Sequence, residues 1–233
     1  MADTNTTEFL KSLEAKYLDG HYQQVLESFY AKGPGLLDDG FLYYNLGSLH
    51  AQLENWSAGR YYLEKAIIHG DFSNQTQNNL AFVRENLQVF DLTSSERLSD
   101  RLMDFFLTTP FNAFLTFSLV ILFIYMVVLL WKELKFLSFK SLLVFLVAGL
   151  PLGAAIYAQK FELAVNVEAI ALRQGPSDIY EVEADLQAGS KVIVGEHYNN
   201  WVMIVRPQEL TGWVKKSELN FLRSGDLLEG PKL

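Results

Sequence analysis

Two uncharged apolar runs restrict this chain more than any other feature. No Asp, Glu, Lys or Arg occurs between Asp104 and Lys132, and PFNAFLTFSLVILFIYMVVLLW fills residues 110–131. A second run, SLLVFLVAGLPLGAAIYAQ (141–159), lies between Lys140 and Lys160. A helix needs about 20 residues to cross a hydrocarbon core of about 30 Å, and the two runs offer 22 and 19. Their length and lack of charge predict transmembrane helices at 109–131 and 141–159 rather than two buried helices of a soluble fold. Pro151, with Gly149 and Gly153, interrupts the second run, which bundled membrane helices tolerate. Residues 132–140, KELKFLSFK, form a basic loop with Lys132, Lys135 and Lys140 against Glu133. Positive charge in a short loop stays cytoplasmic, so both flanking domains are expected together on the opposite side. The opening stretch MADTNTTEFLKSLEAKYLDG has no basic segment followed by an apolar one, and so does not read as a signal peptide. Translocation of the N-terminal domain then implies a leader removed ahead of this sequence, which is the reading adopted; the other is an inverted hairpin.

The net charge of −8 is uneven: −7 over residues 1–108, +3 over 109–161 and −4 over 162–233. Acidic domains on both sides of a basic, apolar middle argue against nucleic acid as a partner, since a phosphate backbone needs a Lys/Arg surface. The chain has no cysteine, which excludes disulfides, Cys-based zinc sites and thiol catalysis.

Residues 6–92 read as helical and repetitive. At an offset of 34, Tyr22, Trp56 and Phe90 align, as do Phe9, Tyr43 and Gln77, then Leu13, Gly47 and Ala81, and finally Leu46 and Leu80. Leu46, Leu49 and Leu53 recur at helical spacing, and so do Tyr62, Ala66 and the Ile67–Ile68 pair. The pattern resembles the tetratricopeptide repeat, and residues 40–73 are the best copy. There Leu46-Gly47, Trp56, Gly59, Tyr62-Leu63 and Ala66 fall on the family's positions, while Gly59 replaces the usual Ala and Asp71 the usual closing Pro. Copies at 6–39 and 74–90 are weaker, the last a half-repeat. Two and a half repeats leave an open end, because about three are needed to bury a continuous core. Residues 93–108 read as an amphipathic capping or interfacial helix. Thr93-x-x-Glu96 looks like a capping box, and Leu98, Leu102 and Phe105 share a face opposite Asp100 and Asp104.

After residue 162 the period changes. AVNVEAIALR (164–173) and KVIVGEHYNNWVMIVR (191–206) show β-branched alternation broken by turn signals, which predicts a small all-β barrel over 162–223. The order Ala171-Leu172-Arg173, Gly175-Pro176-Ser177, Leu186, Gly189, Val192, Trp201, Gly212-Trp213-Val214, Leu219 resembles the bacterial SH3-like domain. Residues 224–233 read as a flexible tail. The expected fold is therefore a multidomain α + β membrane protein: a helical solenoid, a two-helix transmembrane hairpin and an SH3-like barrel.

Chemistry is sparse. His21, His50, His69 and His197 stand apart without metal-ligand spacing, and no nucleotide-binding or hydrolase motif occurs. No catalytic residue, metal site or cofactor is expected, and the chain reads as a non-enzyme. Aromatic recognition surfaces remain. Trp56 and Tyr43 read as core plugs of the repeat. Tyr44, His50, Gln77 and Asn78 are the candidates for its groove, where polar amides can clamp an extended peptide backbone. On the barrel, Tyr180, Tyr198, Trp201 and Trp213 are the candidates for a peptide-docking groove, with Trp201 evenly balanced between groove and core and Trp213 leaning towards a buried strand position.

Helical repeats, a transmembrane hairpin and an SH3-like barrel, in that order, resemble the BatE proteins of the Bacteroides aerotolerance (Bat) group. The resemblance implies a bacterial inner-membrane scaffold with its domains in the periplasm. It also implies work with von Willebrand A-type Bat membrane proteins and a MoxR-type ATPase in envelope stress resistance. The rival expectations are a peptidoglycan-binding sensor and an accessory subunit of an envelope enzyme.

Overall fold

The structure is a computed structural model that describes residues 4–132 and 139–223. Most of the basic loop, 133–138, and the tail 224–233 lie outside the described residues.

Five helices come first: α1 (Thr4–Leu18), α2 (Tyr22–Lys32), α3 (Asp39–Gln52), α4 (Trp56–Ile68) and α5 (Asn74–Leu87). Each packs on the next across a short connection, which makes neighbours antiparallel. The tightest crossing is α3 on α4. A Cβ on Gly47 would stand 2.7 Å from Leu63 Cγ and 3.1 Å from the Gly59 carbonyl, and one on Gly59 would stand 3.3 Å from the Ala51 nitrogen. The two glycines therefore face each other across the crossing, which explains why Gly59 is not Ala. Asp71, in place of a proline, accepts from Ser73 N (3.0 Å) and Thr76 Oγ1 (2.6 Å). Ser73 in turn accepts from Thr76 N and caps α5. Burial alone would raise the Asp71 pKa, but these hydrogen bonds outweigh it and hold the carboxyl below its usual range.

No second helix completes the pair begun by α5. The chain turns at Gln88 and crosses to the barrel instead. The expected capping box at Thr93 does not form: helix α6 (Leu98–Thr108) starts later, with Arg97 at its N-cap. Thr93 N and Oγ1 both donate to Asp91 Oδ1 at 2.8 Å, because Asp91 is buried as an organising carboxylate between the domains.

Helices α7 (Phe111–Lys132) and α8 (Phe139–Ala158) are long and apolar enough to cross a membrane, and only 11% and 22% of their most apolar windows are buried. They pack through a seam of small residues, Ser141, Ala148 and Ala155, spaced seven apart, which lets the backbones approach. Ser118 Oγ donates to the Ala148 carbonyl at 2.7 Å, and the Tyr125 and Ser141 hydroxyls are hydrogen-bonded. Trp131 stands exposed at one end of the hairpin, and at the other Lys160 lies over the Tyr157 ring.

Among the described residues, those after α8 form one antiparallel sheet of seven strands in the order β3-β2-β6-β5-β4-β1-β7. The strands are β1 (Glu162–Val165), β2 (Ile170–Arg173), β3 (Val182–Leu186), β4 (Lys191–Tyr198), β5 (Trp201–Arg206), β6 (Gly212–Lys215) and β7 (Asn220–Phe221). Leu172, Leu186, Val192, Val194, Val202, Ile204 and Val214 fill the barrel core. Leu163, Val165 and Ile193 point the other way, into one hydrophobic core shared with the helices through residues such as Tyr61, Leu92 and Leu107. This double burial is why VIV at 192–194 is a continuous apolar run, buried throughout with Lys191, while burial alternates in WVMIVR.

Charges reinforce the joint. Arg60 on α4 reaches Asp91 Oδ2 (2.5 Å) and donates to the Gly189 carbonyl (2.8 Å). Lys191 Nζ lies 2.7 Å from both Glu64 on α4 and Asp104 on α6. Burial alone would lower the Lys191 pKa, but the two carboxylates outweigh it and raise it, keeping the ammonium charged.

Candidate functional site

A row of aromatic residues lies on the outer face of the barrel, and strand register builds it. In β5, Val202 and Ile204 turn into the core, so Trp201 and Met203 turn out; in β6, Val214 turns in, so Trp213 and Lys215 turn out. Directly paired residues share a face. Pairing sets Arg173, Trp213, Met203 and Glu196 in one row, and Lys215, Trp201 and Tyr198 in the next. Lys215 Nζ sits 5.5 Å from the centre of the Trp201 ring and 2.9 Å from Asp178 Oδ1. Asp178 belongs to the β2–β3 connection, which Arg173 holds by donating to the carbonyls of Asp178 (3.2 Å) and Tyr180 (2.8 Å). The Tyr180 ring lies where a side chain on Gly175 would be, 2.7 Å from such a Cβ, so that glycine makes room for it.

The four barrel aromatics named from sequence thus lie along one exposed region. Tyr198, Trp201 and Trp213 share the outer face, and Tyr180 stands in the adjoining connection. The lean towards a buried Trp213 is corrected: its strand neighbours Gly212 and Val214 are buried, and alternation puts the indole outside, half-covered. Lys215, Arg173, Asp178 and Met203 were not singled out from the sequence. Register alone brings them here. Two flat indoles with a cation beside them can stack on an extended, proline-containing backbone or on sugar rings, and the adjacent Asp178 and Glu196 add acceptors.

The repeat residues divide differently. His50 is 1% exposed, so its placement in a groove is corrected. It lies against Tyr62 (centroids 5.4 Å), with Nε2 2.8 Å from the Tyr30 hydroxyl, because Leu46, Leu49 and Tyr43 turn the same face of α3 inward. Burial pushes its pKa down to about 4. Tyr43 is buried, whereas Trp56 is only half-buried and meets Phe82 edge-on across the α4–α5 seam. Gln77 and Asn78 are exposed on α5, and Gln77 donates to the Phe72 carbonyl. Tyr44 is half-buried in an open cleft lined by Asp38, Phe41, His69, Asp71 and Gln75, so it lines a concavity. Asp38 is the N-cap residue of α3, although its side chain makes no capping hydrogen bond. Among the described residues, no group of three or more His, Asp or Glu is placed to hold a metal ion.

No curated protein and no solved structure matched the chain. Residues 166–220, which carry β2–β6 and the whole aromatic face, match the family of bacterial SH3 domains. The strand that welds the barrel to the helices, β1, lies just outside that match, and the sheet itself is the SH3-like barrel the sequence order resembles.

Proposed function

We propose that this chain is a non-enzymatic, membrane-anchored adaptor whose SH3-like barrel binds a protein segment or cell-wall glycopeptide through the Trp201–Trp213–Lys215 face. The observation that carries this reading is the placement of two indoles and a cation together on the solvent side of a domain matching bacterial SH3 domains. The hairpin of α7 and α8 anchors it: both helices are apolar enough to span a bilayer and leave most of their surface uncovered. The helical domain is of the tetratricopeptide type, and its Tyr44 cleft holds a second partner. Two modest sites on one anchor raise effective concentration, so the assembly is firmer than either contact alone.

The order of repeat, hairpin and barrel supports a place in a Bat-type envelope complex. In it the chain meets von Willebrand A-type Bat proteins and a MoxR-type ATPase, with both of its domains in the periplasm of a bacterial inner membrane. A wall-binding sensor is the second reading, favoured by the same face, because outward-facing indoles stack on sugar rings as readily as on a peptide.

Because the chain has no cysteine, topology is directly readable from single introduced thiols. Asn78→Cys on the repeat and Ile179→Cys on the barrel are both at exposed positions. In intact spheroplasts, an impermeant maleimide is expected to label both. Labelling of neither places both domains in the cytoplasm and removes the wall-binding reading. Labelling of only one rejects the two-helix hairpin.

A further inference from the structure

Helix α6 packs on the shared core through Leu107, with Met103 and Phe106 beside it. Two carboxylates, Asp100 and Asp104, share that inner side. Asp100 is 0% exposed, accepts from Ser95 Oγ at 2.7 Å and pairs with Arg206 of the barrel at 2.8 Å. Asp104 pairs with Lys191. A second apolar stripe faces out: Leu98, Leu102 and Phe105 are 69%, 47% and 54% exposed, and they are consecutive along one side of the helix. A folded domain gains nothing by turning this stripe to water, and each of the three residues forgoes the stabilisation that burial would bring.

We infer that α6 lies flat in the headgroup region of the membrane, with Leu98, Leu102 and Phe105 in the acyl boundary. This rests on the reading of α7 and α8 as a transmembrane hairpin. The occupant follows from continuity. Only Thr109 and Pro110 separate α6 from α7, and Thr109 is extended, so the chain leaves α6 at a bend and enters the apolar helix at once. Phe105 and Phe106 of α6 both touch Phe114, in the first turn of α7, with ring centroids 5.8 and 5.2 Å apart. α6 also packs on α8, whose C-terminal end, beside α6, carries Tyr157 with Lys160 over its ring, the pairing of an aromatic and a cation typical of an interfacial belt. Charge is compatible: Arg101, exposed on the flank of the stripe, and Arg84 of α5 line the cleft running to Thr109, whose carboxylates Glu64 and Asp104 are both paired with Lys191. The inward ion pairs make α6 a bracket that presses the fused repeat–barrel unit against the bilayer. The aromatic face is then presented at a fixed height rather than on a swinging tether.

The test uses the full chain in nanodiscs of mixed zwitterionic and anionic lipid, with single bimane labels at Leu102→Cys, Leu98→Cys, Leu119→Cys and Ile179→Cys. All four positions are exposed, so labelling leaves the cores intact. An interfacial helix seats its apolar face about 5–10 Å into the headgroup–acyl boundary. The labels on α6 are therefore expected to lose most of their emission to a headgroup-level nitroxide lipid and to resist iodide. Leu119→Cys should respond to an acyl-chain nitroxide, and Ile179→Cys only to iodide. If the α6 labels behave like the barrel label while Leu119→Cys is quenched by lipid, the inference fails and the hairpin stands. If Leu119→Cys also escapes lipid quenching, the hairpin reading itself fails. Labels on α6 shielded from both quenchers would show a protein surface, such as a second copy of this chain, in place of lipid, and would equally overturn the proposal.

Discussion

The helical domain and the barrel both hold clusters of aromatic residues, and they use them in opposite ways. Tyr30, Tyr43, Tyr61 and Tyr62 interlock with His50 inside the helical domain, most of them in edge or stacked contacts 5.0–6.2 Å apart. Trp201, Trp213 and Tyr198 sit on the outside of the sheet with a lysine over one of them. The cause is the period of the backbone. Helices packed on several sides can bury aromatics even at successive positions, as Tyr61 and Tyr62 show, whereas a strand with buried Val and Ile at alternate positions must throw its Trp outward. Aromatic content alone therefore does not mark a binding surface; the element that carries it does.

The contrast can be broken most easily from the buried side. Tyr62→Ala removes a ring that is 3% exposed and a hydroxyl that accepts from Tyr30 at 2.9 Å. It should cost about 3–5 kcal/mol in denaturant unfolding of the detergent-solubilised chain. A loss below about 1 kcal/mol would mean the cluster is not a core. Lys191→Met tests the weld between the regions. It strands Glu64 and Asp104 without their shared cation, and should also cost about 3–5 kcal/mol. The same substitution should also split one unfolding transition into two as the barrel and helices lose their coupling.

A smaller effect is pH-dependent. His50 has a folded pKa of about 4 against an ordinary 6.5, so the unfolded chain binds the extra proton between these values. Its contribution is fully present above about pH 6.5 and fades as pH falls towards 4, by at most about 3 kcal/mol. His69 is shifted the same way by burial, so His50→Phe should flatten the acid limb of the stability profile without abolishing it. An unchanged slope would place the imidazole in solvent.

The smallest stability effect belongs to the exposed side. Trp201→Ala and Trp213→Ala should each cost no more than about 1 kcal/mol, because the strands keep their buried Val202, Ile204 and Val214.

Much of this was legible beforehand. The charge-free runs fixed the positions of α7 and α8 to within two residues, and Gly47 was a readable close-packing point because only a residue without a Cβ fits against Leu63. His50 was misjudged because helical spacing does not say which way a histidine turns when Leu46 and Leu49 on the same stripe are already inward. Arg60 and Glu64 are a visible pair one turn apart, but their partners Asp91, Asp104 and Lys191 lie on other elements, and nothing local announces them. The Lys215–Trp201 contact was hidden for the same reason: it depends on which residue of β6 pairs with Trp201.

The most direct test of the account uses the double variant Trp201→Ala/Trp213→Ala in the full chain, assayed in parallel for melting and for binding. The binding arm measures retention of detergent-solubilised membrane partners and of purified cell wall. The account predicts a melting curve close to that of the unchanged protein, together with loss of most retention of one of the two. Full retention of both on a normally folded variant would contradict it, since the outer face of the barrel would then not be where this protein binds.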